Sequence, residues 1–186
     1  MASPAPLDAQ ARAERVKLLA REAGFDLVGI APPTIPEGFE RYEHAMANGY
    51  GADMEWLQRN PQLRSDVREV HPSARSVVAL GVNYYSDSPG YLEQPPTPDE
   101  GWIARYAQGK DYHVYIRKML VRLVKAFEAD DLLDVTSFEN RIFVDTGPVL
   151  EKSFAHRAGI GWIGKNSLLL NRELGSWVFL AVVLTP

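Results

Sequence analysis

A chain of 186 residues, 46% of them hydrophobic, is long enough to bury one α/β core and little more. A net charge of −4 is not a polybasic nucleic-acid coat, so any RNA contact must be a local patch. The lack of cysteine excludes disulfides, thiolate zinc sites and iron–sulfur clusters ligated by this stretch. The sequence offers no secretory h-region and no bilayer-spanning apolar run, which predicts a cytoplasmic domain without a membrane partner.

Residues 1–6 are small and Pro-rich and are expected to fray. Asp8 predicts the cap of a helix to about Ala23, with Val16, Leu19, Ala20 and Ala23 on one face and Gly24 at its end. Phe25 to Ala31 is a short apolar run, expected as a buried strand. Pro36 suits a helix start, with the helix reaching about Asn48. Asp53 to Arg59 predicts another short helix, and Ser76 to Tyr84 a strand. Residues 86–100 are rich in Pro and Ser without periodicity, a long loop of the functional or mobile kind. Asp111 to about Phe127 predicts an amphipathic helix. Ile116, Leu120, Leu123, Val124 and Phe127 form its buried face, and Arg117, Lys118, Arg122 and Lys125 a solvated basic one. Arg141 to Val144 predicts a strand, Pro148 to Ala158 a helix, and Ser176 to Leu184 the last strand. The order implies one α/β domain over residues 1–186, a mixed sheet flanked by helices on both faces. The chain stops at Pro186 directly after an apolar strand, which reads as a truncated protein.

Among the stretches that could carry chemistry, Gly159 to Asn166 nearly matches a phosphate-binding loop, but Asn166 stands where the Mg²⁺-holding hydroxyl belongs. A helix also precedes this stretch and an apolar run, Ser167 to Leu170, follows it, the wrong context for a phosphate cradle. What remains is a glycine ribbon, Gly159, Gly161 and Gly164, that lets backbone approach something flat or bulky. Asp145 lies at a strand end, where α/β sheets gather ligands, and is either a general acid or the N-cap of the next helix. Position alone favours the cap. Arg64, before an extended segment, can clamp a carboxamide or phosphate or pair with a surface acid. Asp111-x-His113 lacks the glycine of a cobalt-ligating D-x-H-x-x-G segment, Ile116 standing in its place. His44, His71, His113 and His156 have no metal-ligand spacing, which leaves them as structural or solvated side chains.

Taken together, Arg64-Ser65-Asp66, Ser76 to Ala79, Ala104 to His113, Val144 to Leu150, and Arg157 to Asn171 with Gly175 to Leu180 resemble the amino-terminal domain of the epoxyqueuosine reductases. The resemblance covers nearly the whole chain, and the Arg157 to Asn171 block is its most specific part. It implies a nitroreductase- or reductive-dehalogenase-like cobalamin-binding fold. It further implies reduction of epoxyqueuosine, at the wobble position of a tRNA anticodon, to queuosine, the last step of queuosine biosynthesis. The family uses cobalamin with its lower base displaced and two [4Fe–4S] clusters. By the same resemblance Asp145 is the proton donor near cobalt, overriding the cap. Arg64, Ala104, Tyr106, Asp145, Gly161, Lys165, Asn166 and Leu169 are the implied cofactor contacts. The implied partners are the tRNA and an external electron donor, and a monomer is expected. The family's cluster-ligating cysteines are missing, so the chain is expected to bind cobalamin without turning over until they are restored. The competing readings are another corrinoid reductase, a flavin enzyme of nitroreductase type, and a cobalamin- or tRNA-binding module that is no enzyme. A visible spectrum and the salt dependence of tRNA binding separate them.

Overall fold

The computed structural model describes residues 7–87, 97–133 and 140–186. Most of the Pro-rich stretch 86–100, and residues 1–6 with their expected fraying, lie outside those residues. The helices are α1 (Ala9–Glu22), α2 (Phe39–Ala47), the single turns α3 (Glu55–Gln58), α4 (Gln62–Ser65) and α5 (Val67–Val70), α6 (Tyr112–Glu128) and α7 (Glu151–Arg157). The strands are β1 (Leu27–Ala31), β2 (Ser76–Asn83), β3 (Arg141–Phe143), β4 (Trp162–Ile163), β5 (Leu169–Leu170) and β6 (Val178–Thr185).

A four-stranded sheet runs in the order β1-β2-β6-β3, and β4 pairs with β5 as a separate ribbon. Every one of these pairings is antiparallel, which corrects the expected mixed sheet. The reason lies in β6. Crossing α6 does bring β3 back parallel to β2, but β6 inserts between them and runs against both. The turn α3 falls within the short helix expected over Asp53 to Arg59, whereas α4 and α5 are a correction, since the chain around Arg64 is helical rather than extended.

Helices cover both faces of the sheet, as expected. On one face α1 and α6 bury Leu19, Ile116, Leu120, Leu123 and Phe127 against Val78, Leu80, Ala181 and Val183. On the other, α7 buries Phe154 against Val77, Val182 and Leu184. The strict inside–outside alternation along β2 and β6 divides these residues between the two faces. Asp8 and Asp111 accept hydrogen bonds from Ala11 N and His113 N, so both caps read from the sequence form. Arg15 and Asp130 tie α1 to the residues after α6, at 2.6 Å with the Asp130 carboxylate almost fully buried.

Where α7 crosses the sheet, a side chain at Gly29 of β1 would overlap the carbonyl oxygen of Ala158. Gly29→Ala is therefore expected to push α7 off the sheet and cost about 1–3 kcal/mol. A lowered denaturant midpoint at unchanged slope is the measurement.

Candidate active site

β2 and β3 point their carboxyl ends the same way, and the chain leaving β3 turns sharply at Asp145. Asp145 has φ 54, and Thr146 N donates back to Val144 O, closing a three-residue turn. A left-handed non-glycine residue in such a turn is held there at a cost of about 1–3 kcal/mol, and such outliers concentrate at functional sites. Gly147 is needed two residues on, because any side chain there would overlap the Phe143 ring. The turn also rules out the cap. The residue that precedes α7 is Leu150, no side chain caps that helix, and α7 begins at Glu151 rather than Pro148. The Asp145 carboxylate, about half exposed, is free to face outward.

The start of α6 supplies its partners. The Tyr112 hydroxyl donates to Asp145 Oδ2. Burial, and then the Asp145 carboxylate, push the Tyr112 phenol well above its usual range, so it stays a donor. His113 Nε2 lies 3.8 Å from Asp145 Oδ2 while its Nδ1 lies 2.8 Å from Asp111 Oδ1. That contact with His113 holds the Asp111 carboxyl below its ordinary value. His113 is thus not an unpartnered surface histidine but a bridge between two carboxylates. Tyr112 is fixed in turn by its ring, stacked on Phe179 at 4.0 Å and 7°, in an arrangement of aromatic rings that continues through Tyr84 and Trp177. The Arg105 guanidinium lies over the Trp177 ring at 5.3 Å.

On its other side Asp145 opens onto a cleft of about 610 Å³, shared with Thr146, Gly147 and Pro148 and walled by Trp56, Arg59, Asn60, Leu63 and Arg64. Arg64 is no free clamp. Its guanidinium donates to the carbonyls of Arg59 and Trp56 and lies over the Tyr42 ring, so the α3–α4 corner presents it rigidly. Behind the turn sits Glu151, the first residue of α7. Its Oε1 is shut off from water and has no hydrogen-bond partner. Burial pushes its carboxyl up to about 7, and the neighbouring Asp145 pushes the same way, against a hydrogen bond from its own backbone N–H and the charges of Lys152 and Arg64.

This burial has a pH signature. Unfolding returns Glu151 to about its ordinary 4.5, and below that value both states hold the proton. As pH rises from there towards 7 only the unfolded chain ionises, so stability falls by up to about 1.4 kcal/mol per pH unit. Above the folded-state value the loss is complete. Glu151→Gln is expected to flatten this slope, read as denaturant midpoint against pH for both proteins.

The other residues singled out by sequence fall in two groups. Ala104 precedes an exposed 3₁₀ turn and Tyr106 lies within it, and the Tyr106 ring meets Tyr112 edge-on at 6.5 Å, which places this stretch beside the Asp145 site. The glycine ribbon forms the β4–β5 hairpin lying along α7: His156 Nδ1 is 3.1 Å from Gly161 O, and Lys152 donates to Ser167 O at 2.8 Å. Its glycines answer to the protein itself. A side chain at Gly161 would run into Leu170 and Leu169, and Gly159, at φ 75, ends α7. Leu169 is buried in the core, which removes its side chain from the set of cofactor contacts. Lys165 and Asn166 are exposed at the hairpin tip, with Asn166 Oδ1 accepting from Leu168 N. Tyr112, His113 and Glu151 were not singled out by sequence as site residues. The D-Y-H tripeptide at the start of a helix was the available signal for the first two.

Known proteins match this chain both in sequence and in fold. A family model described as epoxyqueuosine reductase QueG, DUF1730, matches residues 64–146, a span that contains Arg64, Tyr112, His113 and Asp145. An epoxyqueuosine reductase of Synechocystis is 43% identical over 161 residues, 85% of this chain and 52% of its own length. A crystal structure of epoxyqueuosine reductase with an epoxyqueuosine-modified tRNA-Tyr stem loop superposes with a TM-score of 0.77 at 28% identity, over 92% of this chain and 44% of that one. The Bacillus subtilis enzyme, solved with its catalytic aspartate loop swung out of the active site, gives 0.72 at 26% identity over the same shares. The chain spans about half the length of the curated relatives it matches. No helix among the described residues is long and apolar enough to cross a membrane. By sequence and by fold together, the chain is similar to about half of an epoxyqueuosine reductase.

Proposed function

We propose that this chain carries the proton-donating half of a cytoplasmic epoxyqueuosine reductase, which converts epoxyqueuosine in a tRNA anticodon to queuosine. The observation that supports this best is Asp145 on its strained turn, held by Tyr112 and His113 at the mouth of a cleft. The overall change adds two electrons and two protons, turning the epoxide into an alkene and water. Opening the ring puts negative charge on the epoxide oxygen, and an acid placed there neutralises the charge as it forms. Asp145 gives that proton. Tyr112 and His113 hold the carboxylate in place, and the neutral Tyr112 hydroxyl stabilises the charge that Asp145 is left with.

The nitroreductase-like cobalamin-binding character of the fold belongs to the same proposal. The rim residues suit a large, flat ring with amide arms. Trp56 and Tyr106 are 57% and 53% exposed apolar faces, and Lys165 and Asn166 are accessible polar groups at the hairpin tip. Cobalamin, when bound, supplies the reducing centre. Arg64, Ala104, Tyr106, the Gly161 backbone, Lys165 and Asn166 would hold it. Electrons come from outside this chain, through [4Fe–4S] clusters that its cysteine-free sequence cannot ligate and from an external donor. The catalytic aspartate loop of the Bacillus subtilis relative supports placing the proton donor on a turn rather than within a strand. The test is reduction of an epoxyqueuosine stem loop in the presence of cobalamin and a reductant, by the chain alone and by the chain with a cluster-ligating segment restored after it. Queuosine from the restored protein only is the expected result; stem-loop binding without reduction by either would instead favour a binding module.

A further inference from the structure

α6 starts at the Asp145 site and carries a row of cations away from it. Tyr112 and His113, its first residues, meet Asp145. Arg117, one turn further on, lines the groove of about 350 Å³ that His113, Ile142 and Thr146 share. The same Arg117 borders a shallow depression on the outside of the helix, with Val114, Tyr115, Lys118, Val121 and Arg122. The chain is acidic overall, at −4, yet α6 holds Arg117, Lys118, Arg122 and Lys125 and no acidic residue before Glu128. All four cations are exposed. Arg122 donates to the Ala23 carbonyl. Among the described residues, the side chains of Arg117, Lys118 and Lys125 have no hydrogen bond or ion pair. Apolar side chains stand between them: Val114 is 54%, Tyr115 59% and Val121 40% exposed. A helix face that only meets water needs none of the three, and their interleaving with unpaired cations marks a surface that another molecule covers.

We propose that this face of α6 holds the sugar–phosphate backbone of the tRNA stem beside the anticodon, and so sets the register in which the wobble base reaches Asp145; this rests on the tRNA anticodon being the substrate. Phosphates match the face in charge, and contacts to them position a nucleic acid without reading its bases. The cations from Arg117 to Lys125 run along about 12 Å of helix, long enough to meet more than one phosphate. A protein partner would have to bring acids at that spacing, whereas every nucleotide carries one charge. Tyr115 and Val121 pack against ribose between the charged contacts. Arg117, shared with the His113 groove, makes the contact nearest the site.

The test is the affinity of the full chain for a fluorescein-labelled anticodon stem loop carrying epoxyqueuosine, read by anisotropy between about 50 and 200 mM salt. Arg117→Gln with Lys118→Gln is expected to weaken binding and to make the slope of log K against log salt shallower by about two, one for each cation removed. The loss is expected to be the same for a second stem loop of unrelated stem sequence. Tyr115→Ala is expected to weaken binding at unchanged slope. Arg75→Gln with Arg141→Gln removes equal charge at the amino ends of β2 and β3, opposite the Asp145 turn, and is expected to leave the slope alone. Binding by the unmutated chain that ignores salt overturns the proposal without any variant. So does an α6 pair that binds like the parent, an equal change of slope in the Arg75 and Arg141 pair, or self-association that Tyr115→Ala abolishes with RNA binding intact. If the α6 pair binds like the parent while Asp145→Asn abolishes reduction in the protein with its cluster-ligating segment restored, the reaction stays with the site and only the α6 contact falls.

Discussion

Replacing Asp145 by Asn is expected to lower epoxide reduction by roughly 10²- to 10⁴-fold, the span of a placed general acid, while the chain stays folded. Asn keeps the size of the side chain and tolerates the left-handed backbone at φ 54 almost as well as Asp. It can still accept from Tyr112 through its amide oxygen. What it lacks is the acidic proton. The loss should therefore fall on kcat, with stem-loop and cofactor binding near their original values, and thermal unfolding should move little. Equal losses in binding and turnover would mean that Asp145 shapes the cleft rather than the chemistry. Asp145→Gly completes the comparison, because it relieves the turn strain and is expected to raise the melting temperature while leaving the enzyme as inactive as the Asn variant.

Phe154→Ala is expected to cost about 3–5 kcal/mol. The ring is 1% exposed and is the main apolar anchor of α7 on its face of the sheet, among Val77, Val149, Val182 and Leu184. With that ring gone, seven residues of helix have little else to hold them. For a domain of this size the loss corresponds to a fall in melting temperature of roughly 6–20 °C. The consequence for the site follows from connectivity. α7 begins at Glu151, directly after the turn that carries Asp145, and its Lys152 holds the hairpin at Ser167. A loosened α7 frees both ends of the candidate cofactor rim. Calorimetry reads the stability, and the disappearance of the raised Glu151 titration reads the site.

Much of this was legible in the sequence because it depends on local patterns. The spacing of Ile116, Leu120, Leu123 and Phe127 gave the buried face of α6, and Asp8 and Asp111 announced their caps. Strand sense was not legible. Nothing in Ser176 to Leu184 says that it will slot between β2 and β3, and that insertion alone makes each pairing antiparallel. Asp145 stood out as a strand-end carboxylate, yet its freedom depended on where α7 begins, and a shift of three residues decided it. Tyr112 meets Asp145 across 33 residues of sequence, a contact made by the packing of α6 on the sheet and by no local pattern. Glu151 was hidden for a different reason. An acidic residue in the first turn of a helix is ordinary, favoured by the helix dipole, and only its burial beside Asp145 distinguishes it. The glycine ribbon has a structural reason that its spacing did not show, since Gly161 and Gly164 make room for Leu169, Leu170 and Asn166 of the same hairpin.

The most direct measurement is a titration of the chain with cobalamin, followed by visible absorption and by tryptophan fluorescence in parent and Trp56→Phe proteins. Trp56 lines the Asp145 cleft. A ring seated there should change the corrin spectrum to saturation at one equivalent and quench an emission component that the Trp56→Phe protein lacks. An unchanged spectrum, or quenching that is the same in both proteins, would contradict a cofactor site beside Asp145.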